Sequence, residues 1–419
     1  MAVGSNPSGE GMAASRGYEW RVVVLLGLAF GFAYFDRMAL TFLAPFVQAD
    51  LDLSNEQVGW ANSGLSATWA LGAFLIGRWS DAIGRRKPFL IGALVFFSAC
   101  SVLSGLATSF TTLLATRIVM GAAEGPFLPI CLAIMAAASA PGRQALNAGI
   151  VQNVFGPIVG TSLASYVLVR IADAYDWHAA FYIAGIPGLI LAALIWRFVD
   201  EPPSPAQGEP RRGNPSLGAL LSHRNVWLCA LVSVGAVGSI VVGSIFMPLY
   251  LAGPRGYDAL TWSNVMTIVG ICPAVGAIVV ALLSDRIGRK RPLIAFAYLM
   301  VLAPAALLWF EGPVAVLTLL MFVSWMGLGT FPLFMGVIPT ETVGRVHAAT
   351  AMGLVVMIGE LTGGVFGPPI AGRLADLYGL HVALYIQGGL ALLAGTAALF
   401  VLETNPHVVA RRIAAGAPA

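Results

Sequence analysis

Residues 77–87 read GRWSDAIGRRK, and residues 281–291 read ALLSDRIGRKR. Gly77, Asp81, Gly84, Arg85 and Arg86 of the first stretch are answered by Ala281, Asp285, Gly288, Arg289 and Lys290 of the second, at a constant offset of 204. A second echo, Gly142 with Arg143 against Gly344 with Arg345, falls at an offset of 202. Agreement at both places makes the chain two similar halves. Working outward from these loops, each half divides into six apolar runs, so the repeat unit is a six-helix bundle. Two such bundles facing each other place a binding site near the membrane midplane between them.

The composition supports this division. Of 419 residues, 58% are hydrophobic and only 10% charged, with a mean hydropathy of +0.83, against roughly 25% charged residues in a soluble domain. A bilayer core about 30 Å thick needs about 20 apolar residues per helix, and about 35 residues per helix and loop give roughly twelve spans. The expected helices lie roughly at 22–47, 58–78, 88–107, 111–136, 145–170 and 179–199, then at 226–252, 261–283, 292–310, 313–338, 348–374 and 379–402. The predicted fold is therefore an all-α membrane protein of twelve transmembrane helices in two pseudo-symmetric six-helix bundles. Its parts are an N-terminal tail (1–21), one bundle (22–199), a linker (200–225), the second bundle (226–402) and a C-terminal tail (403–419). Pro202, Pro203, Pro205, Pro210 and Pro215 with Arg211 and Arg212 give the linker a composition that does not cross a membrane.

Charge placement orients the chain. Eighteen Lys and Arg residues fall on the side holding both termini and the linker, three (Arg170, Arg255, Arg373) on the other, and two inside helices. By the positive-inside rule the termini are cytoplasmic, in a bacterial inner membrane, and the number of spans is even. A net charge of +3 gives no reason to expect nucleic acid as a partner. Cys100, Cys131, Cys229 and Cys272 stand isolated in apolar runs and read as small core residues, with neither metal-ligand nor disulfide spacing. No cleavable signal peptide is expected, because the apolar run from Val22 leads directly into a charged pair.

The signature Gly-Asp-Gly-Arg-Arg pattern of residues 77–87, strengthened by its echo at 281–291, resembles the loop that marks the major facilitator superfamily, and the resemblance covers essentially the whole chain. It implies two bundles rocking about a central cavity without nucleotide hydrolysis, and no P-loop sequence argues otherwise. It also implies that Asp81, Arg85, Asp285 and Arg289 are gating residues that hold the outward-facing form. Within the superfamily the first half is similar to the anion:cation symporters and nearly as similar to spinster-type lipid carriers. The matching residues are Tyr34, Phe35, Asp36 and Arg37, then Arg117, Gly121, Glu124, Gly125 and Pro129. Carried over residue by residue, Asp36 and Glu124 take the coupled protons and Arg37 binds the substrate anion. Arg117 is the partner of a deprotonated carboxylate, and Tyr34 lines the pocket.

The residues support a site without the family. Asp36 and Arg37 sit about fifteen residues into the first helix and Glu124 about thirteen into the fourth, near the bilayer centre, where each charge costs at least about 2.5–3.5 kcal/mol. Arg117 and Glu124 are seven apart and share a helix face, about 10 Å apart along the axis. Gly121 and Gly125 thin the same region. At the offset of 204, Arg117, Glu124, Asp36 and Arg37 fall on Met321, Leu328, Ile240 and Val241, whereas Gly125 and Phe127 fall on Gly329 and Phe331. The scaffold repeats and the charges do not, which separates function from architecture. Desolvation disfavours an ionised carboxylate and a nearby arginine favours it, so an anion that draws Arg37 or Arg117 away leaves the acid ready to take a proton.

Weaker substrate-contact candidates are Gln152 and Asn153 in the fifth helix, with Asn62, Ser66 and Asn264 elsewhere. Glu360 is either a ligand contact or a helix-packing acid. The leading expectation is a proton-coupled importer of a small organic anion, such as an aromatic or sugar acid, working as a monomer with the proton as coupling ion and no cofactor. The alternatives are a spinster-like carrier of lysophospholipid or another amphiphile, and a proton-driven drug exporter suggested by Gly156, Pro157 and Gly160. No metal motif and no nucleophile with a nearby base points to an enzyme.

Overall fold

The computed structural model describes residues 16–140, 142–202, 220, 222–344 and 347–414. Twelve long helices run antiparallel in sequence order. They are α1 (Arg16–Asp50), α2 (Asn55–Ile83), α3 (Lys87–Gly105), α4 (Phe110–Ala138), α5 (Gln144–Ala174) and α6 (Trp177–Phe198), then α7 (Arg224–Ala252), α8 (Ala259–Ile287), α9 (Lys290–Trp309), α10 (Val314–Val343), α11 (Thr350–Tyr378) and α12 (His381–Phe400). Among the described residues eleven of them are long and apolar enough to span a bilayer, and α2, of 29 residues, completes the twelve. A short helix α13 (Pro406–Ala414) follows. Most helices outrun the apolar stretches that announce them, because a backbone helix continues past the hydrocarbon into polar surroundings where hydropathy no longer marks it. The expected linker lies mostly outside the described residues, as do most of the expected N-terminal tail, residues 415–419 of the C-terminal tail and Arg345 of the second echo.

Side-chain caps start four of the six helices that begin at the end away from the termini. Ser54 accepts from the Gln57 amide and Ser109 from that of Thr112, each in a reciprocal capping box, while Asp176 and Asp258 cap α6 and α8. Each cap satisfies amides left without intrahelical partners. Within each bundle the repeat is also a packing repeat. A Cβ at Gly125 would strike the Trp69 carbonyl of α2, and one at Gly329 would strike the Gly276 carbonyl of α8. Backbone-to-backbone contact of α2 with α4, and of α8 with α10, thus rests on small residues at equivalent places.

Three buried cores show how the bundles meet. One joins residues of both, including Phe42 and Val47 of α1, Leu168 of α5, Phe246 of α7, Trp262 of α8 and Ala371 of α11. The other two are private. Val22, Leu26, Phe97 and Ile195 belong to one in the first bundle, and Cys229, Val232, Phe334 and Val355 to one in the second. The shared core lies toward the end away from the termini, so the bundles close there and separate toward the termini.

Polar contacts between the bundles follow the same division. Asp376 of α11 accepts from the Asn55 amide (2.8 Å), the Asn55 side chain (2.8 Å) and the Glu56 amide (2.9 Å), capping α2 from the opposite bundle. Arg373 reaches Glu56 at 3.8 Å. On the other flank Ser162 donates to the Thr267 carbonyl, Ser165 to that of Ser263, and Arg170 to Asn264. Gly59 lies against the Pro368 carbonyl and Gly372 against that of Asn55, so α2 and α11 touch through backbone.

A hydrogen bond to a charged group is worth about 1.5–3 kcal/mol, and 1.4 kcal/mol is a tenfold change in an equilibrium. Asp376→Ala is therefore expected to shift the bundles at least about tenfold toward opening at this end. Nitroxide labels on Trp60 and Tyr378, measured by double electron–electron resonance, should gain a longer-distance population, and an unchanged distribution would refute the latch.

Candidate functional site

Successive residues of a helix point about 100° apart, so Asp36 and Arg37 are neighbours in sequence that face different ways. Arg37 shares a face with Tyr34, Met38 and Thr41, and these line a cavity of about 270 Å³ between the bundles. Asn62, Leu65 and Ser66 of α2 continue the wall, and Ile240, Val241 and Ser244 of α7, Leu328 and Phe331 of α10, and Glu360 of α11 close it from the second bundle. A smaller space of about 130 Å³ shares Tyr34, Met38, Ile240, Ser244 and Leu328 with it and adds Gln152, Gly156 and Pro157 of α5 and Trp325 of α10. The Arg37 guanidinium lies over the Trp69 ring, 5.2 Å from its centroid, and donates to Ser66 at 3.4 Å. These contacts leave most of its five N–H donors for the cavity.

Asp36 points into its own bundle and is fully buried. Its Oδ1 lies 2.6 Å from the Ser101 hydroxyl of α3, which also lies 3.0 Å from the Phe181 carbonyl of α6. A hydroxyl has one proton and a carbonyl has none to give, so the two contacts are satisfied together only when Asp36 is protonated and donates to Ser101. When Asp36 is ionised, Ser101 turns to it and leaves the carbonyl. Ser101 thus provides a hydrogen-bonding arrangement for each protonation state.

Arg117 of α4 is also buried. Its Nη1 lies 3.5 Å from the Asp36 backbone carbonyl and 3.4 Å from the Met120 sulfur, and its guanidinium covers the Phe181 ring at 4.9 Å. Glu124, two turns on, is buried where α4 breaks between Glu124 and Phe127. Asp36 Oδ2, Arg117 Nε and Nη2, and Glu124 Oε1 have no hydrogen-bond partner, and no ion pair within 4 Å joins these three residues among the described residues. Such groups in one bundle are buried without being locked in a salt bridge among the described residues. Arg37 and Glu360 both line the cavity, whereas Glu124 is buried.

These positions revise several sequence expectations. Arg117, expected at the substrate, does not line the cavity, because its helix face turns toward α1 and α6. Asn153 is exposed and lines neither space, whereas Gln152 does. One step along the helix moves a side chain to another face, and α5 is π-helical over Val151–Leu163 around Pro157, which alters the register further. Asn264 serves the closed end through Arg170.

Of the expected gating residues, the Asp81 side chain lies outside the described residues and Arg85 is exposed. Arg289 pairs with Asp285 at 2.6 Å and with Glu341 of α10 at 3.2 Å, all in one bundle. Burial alone would lower the Arg289 guanidinium, but its hydrogen bonds to Asp285 and Glu341 outweigh that and hold it above its ordinary value.

Sequence reasoning missed several partners. Ser101 is an ordinary serine in an apolar run, found only through the fold. Glu201 accepts from the Arg86 and Lys87 amides and Glu403 from those of Arg289 and Lys290, so each half's signature loop is capped by an acid after its last span. That pair does carry a signal, since it stands at the same offset of 202 as the second echo.

Known proteins resemble the chain in sequence and in fold. The family model described as the Major Facilitator Superfamily matches residues 26–363 and 263–418. A hexuronate transporter of Bacillus subtilis (strain 168) is 28% identical over 400 residues, covering 90% of this chain and 93% of the relative. A 3-(3-hydroxy-phenyl)propionate transporter of Escherichia coli (strain K12) is 24% identical over 414 residues, covering 92% and 95%. In fold, the chain is similar to a bacterial homologue of the human lysosomal transporter Spinster, solved in an inward-facing, unoccupied conformation, with a TM-score of 0.73 at 17% identity over 92% of this chain and 95% of that one.

Removing the Ser101 hydroxyl leaves both Asp36 and the Phe181 carbonyl without their shared partner. A buried polar group so abandoned costs about 1–3 kcal/mol. Ser101→Ala should therefore lower the thermal unfolding midpoint of the detergent-solubilised protein, and an unchanged midpoint would show that the hydroxyl is not needed there.

Proposed function

The chain belongs to the major facilitator superfamily, and from that membership we propose that this transporter is a proton-coupled symporter of a small organic anion, an aromatic or sugar acid, working by alternating access. The observation that carries the reading is the position of Arg37, with its guanidinium at the cavity and two buried acids, Asp36 and Glu124, behind it in the same bundle. The organic acids named for the two relatives support the substrate class. A cavity of about 270 Å³ with a mainly apolar wall and one arginine suits a compact carboxylate better than a long acyl chain.

In this scheme the substrate carboxylate takes the bidentate donors of Arg37. Arg37 then gives less support to ionised Glu124, which accepts a proton, so anion and proton load together. Asp36 holds a second proton position, with Ser101 and Phe181 receiving its hydrogen-bond network in the protonated state. Arg117 supplies the compensating charge from inside the bundle. With both termini in the cytoplasm, closure at the opposite end makes the present form inward-facing, and the paired residues of the signature loops act as the gate of the other form. The transporter acts as a monomer in an inner membrane, with the proton as its coupling ion and no cofactor.

Internal pH in liposomes carrying the purified protein tests the scheme. Adding an aromatic or sugar acid outside should acidify the lumen, and Asp36→Asn or Glu124→Gln should abolish proton-driven accumulation, bringing the steady-state substrate ratio to about one. Arg37→Ala should lose substrate binding. Full accumulation in both acid variants would refute the coupling assignment.

A further inference from the structure

Arg37 and Glu360 are the cation and the carboxylic acid that line the cavity among its described wall residues, one from each bundle. They form no ion pair within 4 Å, which leaves a space between two opposite charges rather than a closed bridge. Glu360 is also unspent, because no hydrogen bond to its carboxylate occurs among the described residues, although it is the first residue of a π-helical segment, Glu360–Val365, that wall α11 contributes at the site. Widened turns of this kind re-aim side chains and recur at functional sites. Gly364 completes the arrangement, since a Cβ there would come within 2.8 Å of Glu360 Oε2. The backbone is therefore trimmed where the carboxylate rests. Between the two charges the wall is largely apolar, with Val237, Ile240, Val241 and Leu328 along it.

We propose that Glu360 is a specificity-determining residue that accepts a hydrogen bond from a donor on the substrate's far end and turns away a second anionic group there. This rests on the reading of Arg37 as the carboxylate site. Once Arg37 holds the carboxylate, Glu360 faces the distal end with free acceptor capacity and no second cation to neutralise a further acid. The substrate class narrows to compact monocarboxylates with a distal hydroxyl or N–H. Dicarboxylates are excluded by the repulsion, and plain monocarboxylates are disfavoured because they leave the acceptor unpaired.

Two series that vary only the distal group provide the test. The aromatic probes are 4-hydroxybenzoate, benzoate and benzene-1,4-dicarboxylate, and the sugar-acid probes are gluconate and glucarate. Binding to the protein in nanodiscs is read by tryptophan fluorescence for wild type, Glu360→Gln and Glu360→Ala. In wild type the hydroxylated aromatic should bind about 10- to 100-fold more tightly than benzoate, and the diacid of each series should bind at least about tenfold more weakly than its hydroxylated monoacid. Glu360→Ala should bring the hydroxyl-to-plain ratio to about one. Both variants should weaken the rejection of diacids, while Glu360→Gln, which keeps an acceptor oxygen, should retain part of the hydroxyl preference. Discrimination that persists unchanged in both variants, or wild-type binding with no preference in either series, would overturn the role of Glu360 and leave the anion reading standing. Failure of every carboxylate to bind wild type would overturn the anion reading and this inference with it.

Discussion

A charge inside a bilayer must be compensated by a partner, by water or by a change of protonation, and the first bundle is arranged around that requirement. Asp36, Arg117 and Glu124 are withdrawn into the bundle, where carbonyl groups, a hydroxyl, a sulfur and an aromatic face partly satisfy them. Several of their atoms have no hydrogen-bond partner among the described residues. A fully paired salt bridge at the same depth would hold its charges firmly and resist the gain or loss of a proton. Arg37 differs because its helix face meets the cavity, so its compensation can be exchanged for that of a ligand. The second bundle has no matching buried set at the equivalent positions, where Ile240, Val241, Met321 and Leu328 stand, and contributes shape and a single acid.

The proposed alternating access requires rigid halves and a contact that can be released. Rigidity comes from glycines that let α2 meet α4, and α8 meet α10, at backbone distance. Releasable contact is concentrated where helix ends meet across the interface. Asp376 satisfies amides at the start of α2 that have no partner within their own helix. In that proposed scheme the amides return to water when the bundles part. At the termini end the corresponding acids, Glu201 and Glu403, cap signature loops inside their own bundles, so the bundles remain separate there.

Two irregular stretches of helix lie at the cavity or the space that adjoins it. Val151–Leu163 in α5 surrounds Pro157, and Glu360–Val365 in α11 precedes Pro368 and Pro369. Proline removes an amide and crowds the preceding turn, and a widened turn absorbs the mismatch. In these two helices the mismatch places Gln152 and Glu360 on the cavity wall while turning Asn153 outward.

The sequence alone determined the architecture and the identity of the charges. Hydropathy, the repeated Asp-Gly-Arg loops and the bias of basic residues are sums over many positions, and a bilayer enforces them residue by residue. For the same reason Asp36, Arg37, Arg117, Glu124 and Glu360 stood out, since a charge in an apolar run needs a reason to be there. Which of them face a ligand was decided only by tertiary structure. Adjacent residues such as Asp36 and Arg37 diverge by about 100°, and Ser101 or Asp376 acquires its role only when α3 meets α1 and α11 meets α2. Periodicity gives the direction of a side chain relative to its own helix axis, but the rotation of that helix in the bundle, and the π turns that shift it, follow from packing against the others.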